Sequence, residues 1–84
     1  MRKMKNKSTG VEINVIEHIM LKNFWEYYIT DDKHNDDIVR ALVMGFETEL
    51  GDISLSEIMP YKIHRTPVNA TSEVFPAAGW EWVA

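Results

Sequence analysis

The chain has 84 residues, a formal net charge of −4 and no cysteine, with 45% hydrophobic and 26% charged residues. That length holds one domain with a small core, and that composition excludes wholesale disorder. The absence of Cys excludes a disulfide framework, a thiolate zinc centre and a thiol nucleophile.

Residues 1–10 carry Arg2, Lys3, Lys5 and Lys7 with no acid and end in Ser8-Thr9-Gly10. So polar a stretch contributes little to a core, and it reads as a flexible basic tail before a single small α+β domain over 11–84. Across Val11–Lys22, Ile13, Ile16, Ile19 and Met20 suit a helical stripe, with Glu12, Glu17 and Lys22 facing water. Val11, Ile13 and Val15 also alternate as a strand would, so the choice stays open, with a short N-terminal helix favoured. Glu12, Asn14, Glu17 and His18 interrupt the apolar run, which therefore lacks the h-region of a signal peptide. Nowhere does an apolar window approach the ~18 residues of a membrane span. A cytoplasmic protein is the expectation.

Phe24–Thr30 is rich in aromatic and β-favouring residues and reads as a strand, followed by a polar connection over Asp31–Asp37. Ile38–Phe46 reads as a central strand, apolar on both faces except at Arg40. Glu47–Asp52, which contains Gly51, reads as a hairpin turn, and Ile53–Leu55 as the returning strand. Ser54-Leu55-Ser56-Glu57 fits a capping box, and Pro60 limits the helix it would start to about one turn. The stretch bearing Pro67 and Pro76 reads as loop-rich, and Gly79–Val83 as a short closing strand with Trp80 and Trp82 on one side. The fold expected from these pieces is α+β: a small antiparallel sheet, a short N-terminal helix and a loop-rich C-terminal part.

Ile38–Ile58, with Glu49-Leu50-Gly51 and Ser54-Leu55-Ser56-Glu57 at its centre, resembles the central segment of an uncharacterised bacterial domain-of-unknown-function family. Members of that family are short proteins carried on plasmids and other mobile elements. Where the family has an aromatic after the glycine, this chain has Asp52. The resemblance implies a β-rich fold and a phage or mobile-element setting, and it brings no catalytic residue.

The charge distribution is the strongest functional signal. Residues 23–57 hold nine acids against Lys33 and Arg40 alone. Asp31, Asp32, Asp36 and Asp37 are hard oxygen ligands, yet their spacing does not match a calcium loop, and the three scattered histidines make no zinc pair at helical spacing. Neither a metal nor a cofactor is expected. Ser54, Ser56 and Glu57 are better explained by helix capping than by nucleophilic catalysis, and no phosphate-cradling glycine loop or nucleophile elbow is present, so no enzyme is expected. An acidic band favours docking on a basic surface, while desolvated aromatics supply affinity. The expected site is Asp31, Asp32, Asp36, Asp37, Glu47, Glu49 and Asp52 for charge, with Trp25, Tyr27 and Tyr28 as anchors. The expected partner is a larger protein or nucleoprotein with a basic, nucleic-acid-binding surface. Joined to the mobile-element setting, this describes an inhibitor of a host-defence complex such as a CRISPR effector. The alternative is a small nucleic-acid-binding or regulatory protein using the basic tail and the Lys62–Arg65 loop.

Overall fold

The computed structural model describes all 84 residues and is predominantly antiparallel β, which overturns the α+β expectation. Seven strands form one sheet: β1 (Arg2–Asn6), β2 (Glu12–Leu21), β3 (Glu26–Lys33), β4 (Ile38–Met44), β5 (Thr48–Ser54), β6 (Lys62–Pro67) and β7 (Trp80–Trp82). The only helix is a single turn, α1 (Leu55–Ile58), which runs on into a 3-10 turn at Met59–Tyr61. No helix is long and apolar enough to cross a membrane.

The strand order is β5-β4-β3-β2-β1-β7, with β6 also paired to β2. β3 occupies one side of β2, so β1 and β6 share the other side in succession. β1 lies against Glu12–Val15 and β6 against Glu17–Leu21. Both faces of the sheet are covered. On one, Met4, Val15, Tyr28, Leu42 and Trp80 pack with Val68 and Ala77 of the C-terminal segment. On the other, Ile19, Leu21, Tyr27, Ile29, Val39 and Ala41 pack with Ile58 of α1.

Several expectations change. Val11–Lys22 is strand rather than helix. A register shift between Val15 and Glu17 reverses the inside–outside alternation midway, so the apolar residues before and after it fall at spacings that imitate a helical stripe. The basic tail is β1: Met4 is wholly buried, Lys3 and Lys7 are exposed, and the Asn6–Val11 turn closes a hairpin with Gly10 at a φ of 77°. The β4–β5 turn falls at Gly45–Glu47, and Gly51 lies inside β5 opposite Ala41. The stretch after Pro60 contains an edge strand, β6, closed by Pro67, a residue that edge strands tolerate.

The capping box is also replaced. Ser54 makes no cap hydrogen bond through its side chain. The Asp37 carboxylate caps the turn from the β3–β4 hairpin instead. It accepts from the Ser56 backbone N–H at 2.8 Å and from the Ser54 hydroxyl at 2.6 Å, and the Asp37 carbonyl accepts from the Leu55 N–H at 2.9 Å. These bonds hold the Asp37 carboxyl below the ordinary aspartate range, the Ser54 hydroxyl contributing most.

Candidate functional site

The residues expected to form one acidic, aromatic footprint lie at opposite ends of the sheet. The β2–β3 and β4–β5 turns sit together at one end, next to the paired residues Met20, Glu26, Met44 and Thr48. The β3–β4 hairpin sits at the other. β3 has eight residues, so at about 3.3 Å per residue the two ends are about 23 Å apart.

The hairpin end carries Asp31, Asp32, Asp36, Asp37 and Asp52. Most of them are engaged within the chain. Asp37 caps α1, Asp36 lies 3.5 Å from Lys33, and Asp52 lies 3.2 Å from His34 and 3.8 Å from Arg40. Asp31 accepts a long hydrogen bond of 3.4 Å from the Asn14 amide, and Asp32 is exposed without an ion pair. Asn35 organises the turn, its side-chain oxygen accepting from the N–H groups of Asp37 and Ile38 at 2.8 and 2.7 Å. The density of acids here therefore arises in part from bracing the fold.

Tyr27 and Tyr28 are buried in the two cores and are not available as anchors, contrary to expectation. Burial raises the hydroxyl pKa of both, and at Tyr28 the charge of Glu26 raises it further. The Tyr28 hydroxyl donates to the Phe75 carbonyl at 2.8 Å. Both side chains are structural.

The other end brings Trp25, Glu47 and Glu49 together and adds aromatics that sequence reasoning did not single out as anchors. Phe46 is 95% exposed at the tip of the β4–β5 turn, edge-on to Trp25 with ring centroids 5.4 Å apart. The Trp25 indole lies flat on the turn because position 45 is glycine. A Cβ there would come within 2.7–2.8 Å of three atoms of the indole ring. Phe24 sits at a φ of 68° and is 74% exposed. A bulky residue in that left-handed conformation stores ~1–3 kcal/mol of strain, which fits a side chain held outward. Tyr61 reaches the same end, where its carbonyl accepts from the Lys22 N–H at 2.9 Å. An open recess of about 220 Å³ between Trp25, Val43 and Phe46 is bordered by Glu47 and Glu49. Both carboxylates are exposed and neither forms an ion pair. The signal available in the sequence was Gly45-Phe46-Glu47, a glycine followed by an aromatic and an acid just after an apolar strand.

The basic residues of the nucleic-acid alternative are partly committed to internal contacts. Arg2 stacks over Trp82 at 4.6 Å and donates to the Ser72 carbonyl at 3.2 Å. Lys3 pairs with Glu12 at 3.7 Å. Arg65 grips both carboxylate oxygens of Glu17 at 2.9 and 3.0 Å. The chain matches no protein-family model, no curated protein and no solved structure.

Proposed function

We propose that the chain is a protein-binding module that docks a basic surface of a larger partner through the Trp25–Phe46 end, acting by occupancy rather than by catalysis. One observation carries this reading. Phe46 is 95% exposed against Trp25, and two carboxylates without ion pairs flank the pair. An exposed ring of that size costs the free chain apolar hydration, and covering it returns about 25 cal/mol per Å². Arg and Lys are the natural counterpart. A guanidinium stacks on an indole or phenyl face while its N–H groups donate to a carboxylate, and that combination suits hot-spot contacts. Asp31 and Asp32 at the far end contribute long-range attraction, which speeds encounter more than it tightens the complex. Basic surfaces of this kind belong to nucleic-acid-binding proteins, host-defence nucleoproteins included, and an acidic module seated there would compete with nucleic acid.

Titration of the isotope-labelled protein with an arginine-rich peptide at low salt tests the reading. The expected result is saturable movement of the Trp25 indole N–H and of the Gly45, Phe46 and Glu47 amides, weakening as salt rises. Movement confined to the Asp31–Asp37 hairpin, or no movement at all, contradicts it.

A further inference from the structure

A second concavity lies on the opposite face of the sheet from the Trp25 recess. Strand alternation sends Glu26 and Tyr28 to this face, whereas Trp25 packs with the Tyr27–Ile29 core on the other. The cleft has a volume of about 500 Å³, within the range of small-molecule sites. Three adjacent strands supply its floor: His18 and Met20 from β2, Glu26 from β3, and Ile63 and His64 from β6. Glu73, Val74 and Phe75 of the C-terminal segment form the remaining wall. Two aromatics, the buried Tyr28 and the half-buried Trp82, hold that wall in place: the Tyr28 hydroxyl donates to the Phe75 carbonyl at 2.8 Å and the Trp82 indole N–H to the Val74 carbonyl at 2.7 Å. The concavity is therefore built before any ligand arrives.

Its chemistry is one-sided. No Lys or Arg lines it, while Glu26 and Glu73 both do. Glu26 is fixed by His18, whose Nε2 donates to one carboxylate oxygen at 2.8 Å, leaving the other oxygen free to accept. The Nδ1 atom of His18 is the only buried side-chain polar atom of the protein without a hydrogen-bond partner. His18 is 5% exposed, and its ring forms part of the cleft beside the two carboxylates. The apolar side is equally distinct: Met20, Ile63 and Val74 line it, and the Phe75 ring stands at the rim, exposed and able to lie against a cation. Nowhere do three His, Asp or Glu side chains converge as a metal-ligand set.

We infer that this cleft binds a small organic cation, a primary ammonium carried on a short apolar or aromatic body. The ammonium faces Glu26 and Glu73, and the apolar body lies along Met20, Ile63 and Phe75. The inference stands apart from the docking surface, because the two occupy different faces and share no residue.

Phenethylamine, with 3-phenylpropionate as the anionic control of similar shape, is the probe. NMR titration of the full chain is expected to give saturable shifts of the Met20 methyl, Ile63 and His64 with the amine and none with the acid. Glu73→Gln, on an exposed position that the fold does not depend on, is expected to weaken binding about tenfold, the worth of one charge-assisted contact. Glu26→Gln serves as the second variant, its amide spectrum reporting whether the sheet is retained. Equal binding of amine and acid, shifts elsewhere on the protein, or unchanged affinity in Glu73→Gln overturns the inference. So does a failure to saturate, or a response of His18 and His64 to zinc with none to the amine.

Discussion

Gly45 decides where Trp25 can lie, and through Trp25 it decides what Phe46 can do. The indole rests on the glycine backbone, so Gly45→Ala must push the ring away or distort the turn. The expected cost is about 1–3 kcal/mol, as for other overpacked sites. A lower urea midpoint together with altered tryptophan fluorescence checks it, and wild-type values for both would show that the indole moves freely. Read from sequence, Gly45 falls inside the Ile38–Phe46 strand and the polar run around Gly51 takes the hairpin turn, the reverse of what the structure shows. Nothing local corrects that reading, because the deciding contact comes from Trp25, twenty residues upstream. The exposure of Phe46 was hidden for the same reason. As the last residue of an apolar run it reads as core, and only the placement of the turn brings it to the tip.

Among the elements, β2 and β1 depart most from the sequence reading, and each for a definite reason. In β2 the irregularity near Ile16 breaks the two-residue period, leaving Ile16 itself 40% exposed and sending Ile13 and Val15 to one face but Ile19 and Leu21 to the other. Pattern reasoning has no means of seeing a bulge that shows only in the pairing of β2 with β3. β1 has one deeply buried apolar side chain among five residues, too few to announce a strand. That residue, Met4, is wholly buried, and β7 has no strand partner other than β1. Met4→Ala should therefore cost about 2–5 kcal/mol in urea denaturation. A dispensable tail would lose nothing.

The capping of α1 makes a pH-dependent contribution to stability. The Asp37 carboxyl is held low by the Ser54 and Ser56 hydrogen bonds, so its stabilising effect is complete above the ordinary aspartate pKa of about 3.9. That effect is lost as pH falls through the lower, folded-state value. Asp37→Asn is expected to lower the urea midpoint near neutrality, with the gap to wild type closing in acid. A gap that stays constant with pH would show that Asp37 acts through shape alone. Legibility here was mixed, since the Ser54–Glu57 motif marks where the helix starts but not that Asp37 caps it from another hairpin.

At the scale of the molecule, a charge block that is continuous in sequence becomes two separate surfaces. A β-hairpin returns the chain to the end it left, so Asp31–Asp37 and Gly45–Glu49, close in sequence, finish at opposite ends of the sheet. Acidity over residues 23–57 was therefore legible, whereas its division between a braced hairpin and an aromatic tip needed the topology. The proposed docking on a basic partner uses the tip. Calorimetric affinities for one arginine-rich peptide, measured side by side for wild type, Phe46→Ala and Asp31→Asn/Asp32→Asn, test it most directly. Phe46→Ala should weaken binding by about tenfold or more, as removal of a hot-spot aromatic does. The aspartate pair should change it by no more than about threefold, as expected of charges that steer from a distance. The reverse order, with Phe46→Ala neutral and the hairpin variant losing the peptide, would place the interface at the acidic hairpin and contradict the account.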